Sequence, residues 1–505
     1  MIDESTESAS EEAEARREAS LLDEILEASE DSVLKQLVMA RGQCSVEELK
    51  GLLVRMCKQY ADGQIQWTES LLKTINTAVA HIDKSISQQM RTVMKAPELH
   101  DVEGRWRGLQ SLVKNSELGS DLKIKVFNIN KNDCFKQFQE SPTIDRSPLF
   151  NTIYHHEYGT AGGEPYGVLL TDFTFGYKGQ DVALMRALTE VGAASHMPVI
   201  AAASPAMFGI PDFPAFAEGR PVAPGFNSPT YNQWNNFRST EDARYLVLTL
   251  PRVMAREPYG KDANPVEAFD FEEFEVDENG TPIFEPNTDF VWCNACFALG
   301  LKISESFSRF GWCTAIRGME NGGKVENLPN YVYKAPTGDL IQQCPTEVNI
   351  TDEREKELSD LGFLPLIHYK TTCHATFIGA QTTQKPKVYE NPDATANAAI
   401  SARLPYMMAA GRIAHYLKVI GRDRIGSNIE GAELQQELST WLGKYTNAAA
   451  VSNDARAKFP LKESSVRVVE QRGRPGCYSA VAYLRPWLQL EELTASLRLV
   501  ASIPS

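Results

Sequence analysis

Apolar residues recur at helical spacing over a long stretch in the first quarter of the chain. They return every three or four residues until Pro97 interrupts the pattern: Leu72, Ile75, Val79, Ile82, Ile86, Met90 and Val93. This spacing predicts one long helix with a single apolar seam. Such a seam requires a partner helix, which either lies within the chain or belongs to a second subunit.

A second amphipathic stretch, from Asp393 to Gly426, combines an apolar stripe with a basic face. The stripe comprises Ile400, Leu404, Met407, Met408, Ala414, Leu417 and Ile420 or Ile425. The basic residues are Arg403, Arg412, Lys418, Arg422 and Arg424, with Asp423 as the single acid from Arg403 onward. This face either has an acidic partner or is an ordinary solvated surface, and Pro405 is expected to start or kink the helix.

Between these helices the period changes to that of β-strands. Leu122, Ile124 and Val126 alternate with lysines, which predicts a half-buried strand at the start of an α/β body. The segments 167–175, 181–195 and 198–203 have the lengths of a strand, a crossover helix and a second strand. A partly parallel sheet is therefore expected.

Further strands are predicted at 244–250, at 312–317 and, despite Pro365, at 363–367. Two segments punctuated by proline and glycine, 208–229 and 259–286, are expected to be connections over the surface.

The last part of the chain is predicted to be rich in β-structure. A helix is expected over 429–445, followed by a hairpin of 466–470 with 478–484 and a final strand at 493–503. A strand at a free terminus can add to its own sheet or to a neighbour's. The predicted fold class is α/β (α+β mixed), with a helical N-terminal region, a mixed-sheet body and a β-rich C-terminal segment.

Composition narrows the class of protein. At 505 residues and 43% hydrophobic residues, the chain is long enough for two or three domains with sizeable cores. It has no long uncharged apolar run, and its acidic start is unlike a secretory signal, so a cytosolic protein without membrane insertion is expected. Nine cysteines without a disulfide-like framework agree with a reducing compartment. A formal net charge of −15 argues against nucleic acid as the main partner.

Much of the negative charge lies in residues 1–30, which hold eleven acids and two arginines. Such a composition is typical of disorder. Within it, Ser20 is a candidate N-cap, and Leu22, Ile25 and Leu26 have the spacing of an amphipathic turn. This turn either docks on its own protein or is a recognition motif for another.

Motifs for catalysis or ligand binding are weak. Gly318–Lys324 matches G-x-x-x-x-G-K, but valine follows where a phosphate loop needs serine or threonine, so a structural glycine turn is favoured. Cys293 and Cys296 form half a zinc site, although the helical period of 290–310 favours buried cysteines. Trp106 between two arginines could stack on a base but is expected in the core. No catalytic residue, metal site or cofactor is predicted.

Long, collinear segments resemble one known family. They are GRWRGLQSLV (104–113), PYGVLLTDFTF (165–175), PVIAAASPAMFG (198–209), EDARYLVLTLPRV (241–253), WCTAIRGMENGGKVENLP (312–329), KELSDLGFLPLIHYK (356–370), QKPKVYENPDATAN (384–397) and LRPWLQLEELTASLRLV (484–500). With the stretch that ends at Gly426, they cover nearly the whole chain. The chain resembles the large sheath subunit of type VI secretion systems, the VipB/TssC family.

The resemblance implies a structural protein of the bacterial cytoplasm and not an enzyme. Its partners would be the small sheath subunit (VipA/TssB type), further copies of itself in a helical sheath, the Hcp inner tube and the baseplate. Contraction would drive the tube outward for effector delivery. The alternatives are a phage-tail-like sheath protein and, with less support, an α/β enzyme of unknown substrate.

The resemblance also divides the chain. Residues 1–44 would be an acidic flexible segment with an unfoldase-recognition helix, and 45–118 a helical region. Residues 119–390 would form the α/β sheath body, and 391–505 an inner layer with the basic helix and the strands that link subunits.

Particular residues follow from the same resemblance. In the family, the ClpV AAA+ unfoldase captures an LLD-x-IL-like segment, which Leu21, Leu22, Asp23, Ile25 and Leu26 match. The strand that links subunits would include Leu493, Ala495, Leu497 and Leu499. From its charge and its place beside that inner layer, the basic helix is expected to face the tube through Arg412, Lys418 and Arg422.

Overall fold

The computed structural model describes residue 51 and residues 71–489, except 262, 268, 278–280, 472 and 475. The chain forms two compact units, one of Met1–Thr92 with Val266–Phe271 and one of Val93–Pro265 with Glu272–Ser505. The predicted unfoldase segment and the predicted final strand lie outside the described residues.

The predicted long helix is confirmed as α1 (Leu71–Met94). It ends just before Pro97, as the sequence indicated. Its apolar seam is exposed to solvent, since Val79, Ile82, Ile86 and Met90 are each 42% or more accessible. The seam therefore presents an apolar surface in this single chain.

Helices and short strands follow α1. A single helical turn at Pro148–Phe150 runs into a π-helix at Asn151–Tyr158. In chain order the elements are α2 (Pro97–Asn115), α3 (Lys131–Glu140), β1 (Leu169–Phe175), α4 (Gly179–Ser195), β2 (Val199–Ala203), α5 (Asn232–Arg238), β3 (Leu246–Leu250), β4 (Val253–Met254), β5 (Glu275–Val276), β6 (Pro282–Ile283), α6 (Pro286–Asp289), β7 (Trp292–Cys293), α7 (Ala295–Phe310), β8 (Lys324–Val325), β9 (Val332–Lys334), β10 (Leu340–Gln342), α8 (Asp352–Asp360), β11 (Leu364–His368), β12 (Ala375–Phe377), α9 (Pro392–Ser401), α10 (Leu404–Asp423), α11 (Gly431–Gly443), α12 (Asn453–Lys458), β13 (Leu461–Glu470) and β14 (Tyr478–Pro486).

A six-stranded sheet of order β1-β2-β3-β11-β12-β8 forms the centre of the second unit. The pairs β1–β2, β2–β3 and β3–β11 are parallel, whereas β12 is antiparallel to both β11 and β8. Strands β2 and β3 are buried along their whole length, which explains why their sequences are apolar except for Thr249. The predicted mixed α/β fold with a partly parallel sheet is confirmed.

Two predicted strands are wrong. Residues 122–126 form no strand; Lys123 instead pairs with Glu164, and Lys125 pairs with Glu157 at 2.6 Å, so the alternating lysines form ion pairs. Residues 312–317 also form no strand, because Ser306 donates to Trp312 O and accepts from Ala315 N in place of a neighbouring strand. The apolar residues there are buried, but they are not part of a ladder.

The segment 208–229, predicted to be a surface loop, contributes to the main core. Its prolines start short 3₁₀ helices at Phe213–Glu218, Ala223–Asn227 and Pro229–Tyr231, after a first one at Pro205–Phe208. The phenylalanines between these prolines are buried: Phe208, Phe213, Phe216 and Phe226. The prolines mark helix starts here, and the aromatic residues decide the burial.

The second predicted surface connection, 259–286, also has a buried part. Glu273 is 5% exposed and accepts hydrogen bonds from Arg256 at 2.7 and 3.0 Å and from the backbone N–H of Tyr259. Glu103 of α2 holds the other edge of the same guanidinium, with a 2.6 Å contact to Nε. One buried arginine thus ties this connection to α2.

Apolar clusters cover both faces of the sheet, and a third cluster lies apart from it. The third contains Trp312, Ile413, Leu438, Leu442, Leu461 and Val466. It is built by α10, α11 and the hairpin β13–β14. The hairpin and the preceding helix are therefore confirmed, and they have a core of their own.

Candidate functional site

The basic helix, α10, begins with Pro405 in its first turn. The proline starts the helix and does not kink it, because a missing N–H costs nothing in the first turn. The buried face includes Leu404, Met407 and Met408, as the stripe predicted, whereas Ile425 lies beyond the helix and is 82% exposed.

Lys418 and Arg422 connect α10 to the π-helix at Asn151–Tyr158. The ammonium group of Lys418 lies 3.2 Å from the centroid of the Tyr158 ring, and burial lowers the pKa of this lysine. Arg422 donates to the carbonyl oxygens of Thr160 at 2.8 Å and Tyr158 at 3.2 Å. Arg422 therefore satisfies carbonyl groups at the end of the π-helix.

Arg412 and Arg424 make similar contacts to other helices. The Arg412 guanidinium lies over the ring of Phe307 in α7 and donates to the hydroxyl of Tyr416 at 3.0 Å. Arg424 forms a bidentate contact with Glu437 of α11. The basic face thus joins α10 to its surroundings within the chain. Whether Arg412, Lys418 and Arg422 also face an inner tube stays a prediction.

His415 and Gly411 lie where α10 meets the end of α4, and the sequence analysis missed both. His415 is 4% exposed and donates from Nε2 to Ser195 O at 2.8 Å. A Cβ atom on Gly411 would lie 2.5 Å from His196 O, so only glycine permits this close approach. The sequence signal for this contact was His415 itself, a polar residue at a position within the apolar stripe of α10.

Burial keeps His415 neutral. It lowers the pKa of the imidazole to about 4, and the nearby charges of Arg412 and Lys418 and the ring of His196 act in the same direction, against the hydrogen bond to Ser195 O. Its Nδ1 has no hydrogen-bond partner among the described residues. The junction between α4 and α10 therefore contains a histidine that is costly to protonate.

The outward face of α2 carries a second candidate surface. Trp106, predicted to lie in the core, is 68% exposed. The reason is the pair Gly104 and Gly108, which form the buried face: a Cβ on Gly104 would lie 2.2 Å from Trp292 O, and one on Gly108 would lie 2.4 Å from the Phe297 ring. Trp106 points the other way. The G-x-x-x-G spacing was the signal that could have predicted this orientation.

Trp106 belongs to an exposed apolar stripe along α2. Its other exposed members are Leu99, Val102 and Val113, all more than one third accessible. The spacing is that of a seam against which another helix packs. Exposed, aligned apolar residues of this kind mark interaction surfaces.

The C-terminal hairpin presents a third surface. Val469, Val481 and Tyr483 are each about half exposed. Within the described residues, β13 and β14 form a two-stranded sheet, and the bridge of Thr446 to Leu461 is the single further backbone pairing to it. Its strands thus offer edges to which another strand can be added.

The glycine-rich motif and the cysteine pair, which the sequence offered as weak candidates for ligand binding, have structural roles. Gly318–Lys324 is a turn that leads into β8 and not into a helix, and Lys324 pairs with Glu326. Cys296 is fully buried in the core, as predicted, and burial raises its pKa well above the usual range. Within residues 71–489, apart from the gaps given above, no group of three or more His, Cys, Asp or Glu side chains could hold a metal ion.

None of the helices in the described part of the chain has the length and apolar character needed to cross a membrane.

Comparison with known proteins gives two matches to family models. Residues 76–384 match the EvpB/VC_A0108 tail sheath N-terminal domain, and residues 393–503 match the EvpB/VC_A0108 tail sheath gpW/gp25-like domain. A curated relative, the type VI secretion system sheath protein TssC1 of Pseudomonas aeruginosa, is 42% identical over 438 residues, which are 86% of each chain.

Solved structures with some likeness come from an anti-feeding prophage. Its baseplate matches with a TM-score of 0.34 at 10% identity, over 64% of this chain and 66% of that one. Its contracted helical sheath matches with a TM-score of 0.27 at 11% identity, over 64% and 75%.

Proposed function

Because the chain belongs to the EvpB/VC_A0108 tail sheath family, we propose that it is the large subunit of a type VI contractile sheath. The observation that carries the proposal is the 42% identity to a type VI sheath protein over 86% of both chains. In this role the subunit is structural. It assembles into a helical sheath in the bacterial cytoplasm, which contracts and drives an inner Hcp tube outward.

The small sheath subunit is the proposed partner of the α2 stripe. A helix of that partner would cover Leu99, Val102 and Trp106, which are exposed here, and remove their apolar surface from water. We expect Trp106→Glu to abolish co-purification with the small subunit. The chain should still fold, since Trp106 is mostly outside the core. Val388→Glu, at an exposed apolar residue elsewhere, is the matched control. Retained binding by Trp106→Glu would refute this assignment.

Strand exchange is the proposed link between neighbouring subunits. The strand with Leu493, Ala495, Leu497 and Leu499 would add to the hairpin of a neighbour, whose two strands have edges available. Main-chain hydrogen bonds move with a strand, so subunits linked in this way can rotate during contraction without separating.

Contact of α10 with the inner tube is proposed from the charge of the helix. The chain has a net charge of −15, whereas α10 exposes parts of Lys418 and Arg422. Both side chains also make contacts inside the subunit, so the test has to separate folding from tube binding. Lys418→Gln with Arg422→Gln should give sheaths that enclose no tube, and the unfolding midpoint of the isolated subunit measures the separate effect of losing the contacts with the π-helix. Sheaths that still enclose the tube would overturn the proposal.

The acidic N-terminal segment is the proposed target of the ClpV unfoldase. Leu22→Asp with Ile25→Asp should abolish unfoldase binding, because two charged residues replace the apolar face of the amphipathic turn. Sheaths should still form. A double variant that no longer assembles would show that the segment belongs to the subunit's own packing.

The decisive experiment is negative-stain microscopy of the chain produced alone and together with the small subunit. A type VI sheath subunit should form regular hollow tubes only in the presence of its partner. Regular sheaths from the chain alone would favour a phage-tail-like sheath protein. A monodisperse monomer that does not change when the partner is added would exclude a sheath role.

A further inference from the structure

A cysteine and a histidine form a close pair outside the surfaces described above. Cys344 follows β10, and His368 is the last residue of β11. The thiol sulfur of Cys344 lies 3.5 Å from Nδ1 of His368. His368 is 8% exposed, whereas Cys344 is partly exposed, so the pair lies at the edge of the core.

The backbone determines which nitrogen of His368 carries the proton. Nε2 lies 2.8 Å from the carbonyl oxygen of Thr372, and a carbonyl oxygen can only accept, so Nε2 carries a hydrogen. In the neutral imidazole, Nδ1 then carries no hydrogen, and its lone pair is directed at the sulfur. This hydrogen bond holds the ring in that tautomer, and the same carbonyl oxygen also accepts from the side chain of Gln342 at 2.9 Å. His368 is thus placed to take the proton of Cys344.

The electrostatic balance agrees with this geometry. Burial acts to raise the pKa of the Cys344 thiol, but the hydrogen bonds with His368 and Thr346 outweigh it and leave the pKa below its ordinary value. Burial acts to lower the pKa of His368, but its bonds to Cys344 and Thr372 O raise it overall. The two shifts have the signs expected when a proton moves from sulfur to imidazole.

Other thiols of the described chain differ from Cys344. Burial raises the pKa of Cys134 to about 11 and that of Cys293 and Cys313 to about 12, which makes these three poor nucleophiles at neutral pH. Cys373 and Cys477 are exposed. These two serve as internal references for an accessible thiol.

We propose that Cys344 and His368 form a thiolate–imidazolium pair, and that Cys344 is a modification site which hydroperoxides oxidise to a sulfenic acid. The sheath function neither requires nor predicts this chemistry. Cys344 lies two residues before Thr346, whose backbone forms a β-bridge with Val253. An oxygen added to the Cys344 sulfur would therefore change the packing at the edge of the core.

The oxidation of Cys344 needs only the hydroperoxide as oxidant and the His368 imidazolium as proton donor. The Cys344 thiolate attacks one oxygen of the hydroperoxide, an S–O bond forms and the O–O bond breaks. Sulfur is oxidised by two electrons, and the peroxide is reduced to water or an alcohol. The imidazolium of His368 supplies a proton to the departing oxygen. A cytosolic thiol can then reduce the sulfenic acid through a mixed disulfide.

The test measures the rate at which each cysteine of the folded full chain is alkylated by iodoacetamide between pH 5.5 and 9, with peptide mass spectrometry to separate the sites. Cys344 should react at pH 6 to 6.5, where the references Cys373 and Cys477 are slow. His368→Asn should lower its rate at pH 6.5 by about ten-fold or more, the factor that one unit of thiol pKa represents. His374→Asn, in the same loop, should leave the rate unchanged.

A second measurement uses hydrogen peroxide with a dimedone-type trap for sulfenic acid. Cys344 should be labelled before Cys373 and Cys477, and Cys344→Ser should remove that label. In the competing arrangement the Cys344 thiol stays neutral and donates its proton to the hydroxyl oxygen of Thr346, 3.2 Å away. A neutral thiol would give an ordinary alkaline pH profile for alkylation of Cys344. That profile, or the absence of a sulfenic acid label on Cys344, overturns the proposal. The wild-type profile decides even where His368→Asn fails to fold.

Discussion

His415 should make the chain sensitive to mild acid. It is buried between the end of α4 and the aromatic ring of Tyr158, and it donates to Ser195 O at 2.8 Å. Its pKa is about 4 in the folded chain, against an ordinary value of 6.5. The unfolded chain therefore binds a proton between these pH values that the folded chain does not. Stability is fully present above pH 6.5 and is lost as the pH falls toward 4.

The magnitude follows from the two pKa values. One pH unit corresponds to about 1.4 kcal/mol, so protonation of His415 removes about 3 kcal/mol in total and about 2 kcal/mol between pH 7 and pH 5. Arg412, Lys418 and His196 face the imidazole and disfavour its charge, whereas the hydrogen bond to Ser195 O favours the charge but does not outweigh burial. His196 itself has a lowered pKa from burial and adds to the loss.

The measurement is urea unfolding of the full chain at pH 7 and pH 5. His415→Gln keeps an N–H donor for Ser195 O but cannot take up a proton, so its unfolding free energy should fall by about 2 kcal/mol less than that of the wild type over this range. His156→Asn, at an exposed histidine, is the control. Equal losses for wild type and His415→Gln would refute the reasoning, because other groups would then account for the acid sensitivity.

Two further variants test the packing of the second unit. Gly104→Ala should lower the free energy of unfolding by about 1 to 3 kcal/mol, because the new Cβ would lie 2.2 Å from Trp292 O; Gly119→Ala, with open space around it, should change little in the same urea titration. Arg256→Met should cost about 3 to 5 kcal/mol, because it leaves Glu273 buried without its partner. A thermal midpoint within a degree of wild type would contradict the second expectation.

The sequence predicted elements where apolar residues alone determine the structure. The strands at Val199–Ala203 and Leu246–Leu250 are apolar except for Thr249, because the sheet buries both of their faces. Sequence patterns failed where side chains, and not backbone neighbours, satisfy polar groups, as at Ser306 beside Trp312.

Proline and glycine caused the other failures. Prolines in the segment 208–229 suggested a surface loop, but the aromatic residues between them pack into the core. Trp106 was predicted to be buried because it lies on a helix beside Leu109 and Leu112, yet the close approach of Gly104 to Trp292 turns the tryptophan outward. Which face of a helix is buried depends on what lies against it, and the G-x-x-x-G spacing was the one sign of a close approach that the sequence of this helix offered. The contacts of Lys418 and Arg422 with the π-helix were missed for the same reason.

The helix α10 belongs to two cores at once. Leu404 and Met408 pack against the central sheet, while Ile413, Leu417 and Ile420 pack with α11 and the hairpin. Its 20 residues span about 30 Å without a flexible joint. A pull on the hairpin would therefore reach the sheet as a load along one stiff rod. The two cores could separate only if that rod bent or one end lost its packing, so in mechanical terms α10 transmits force and does not absorb it.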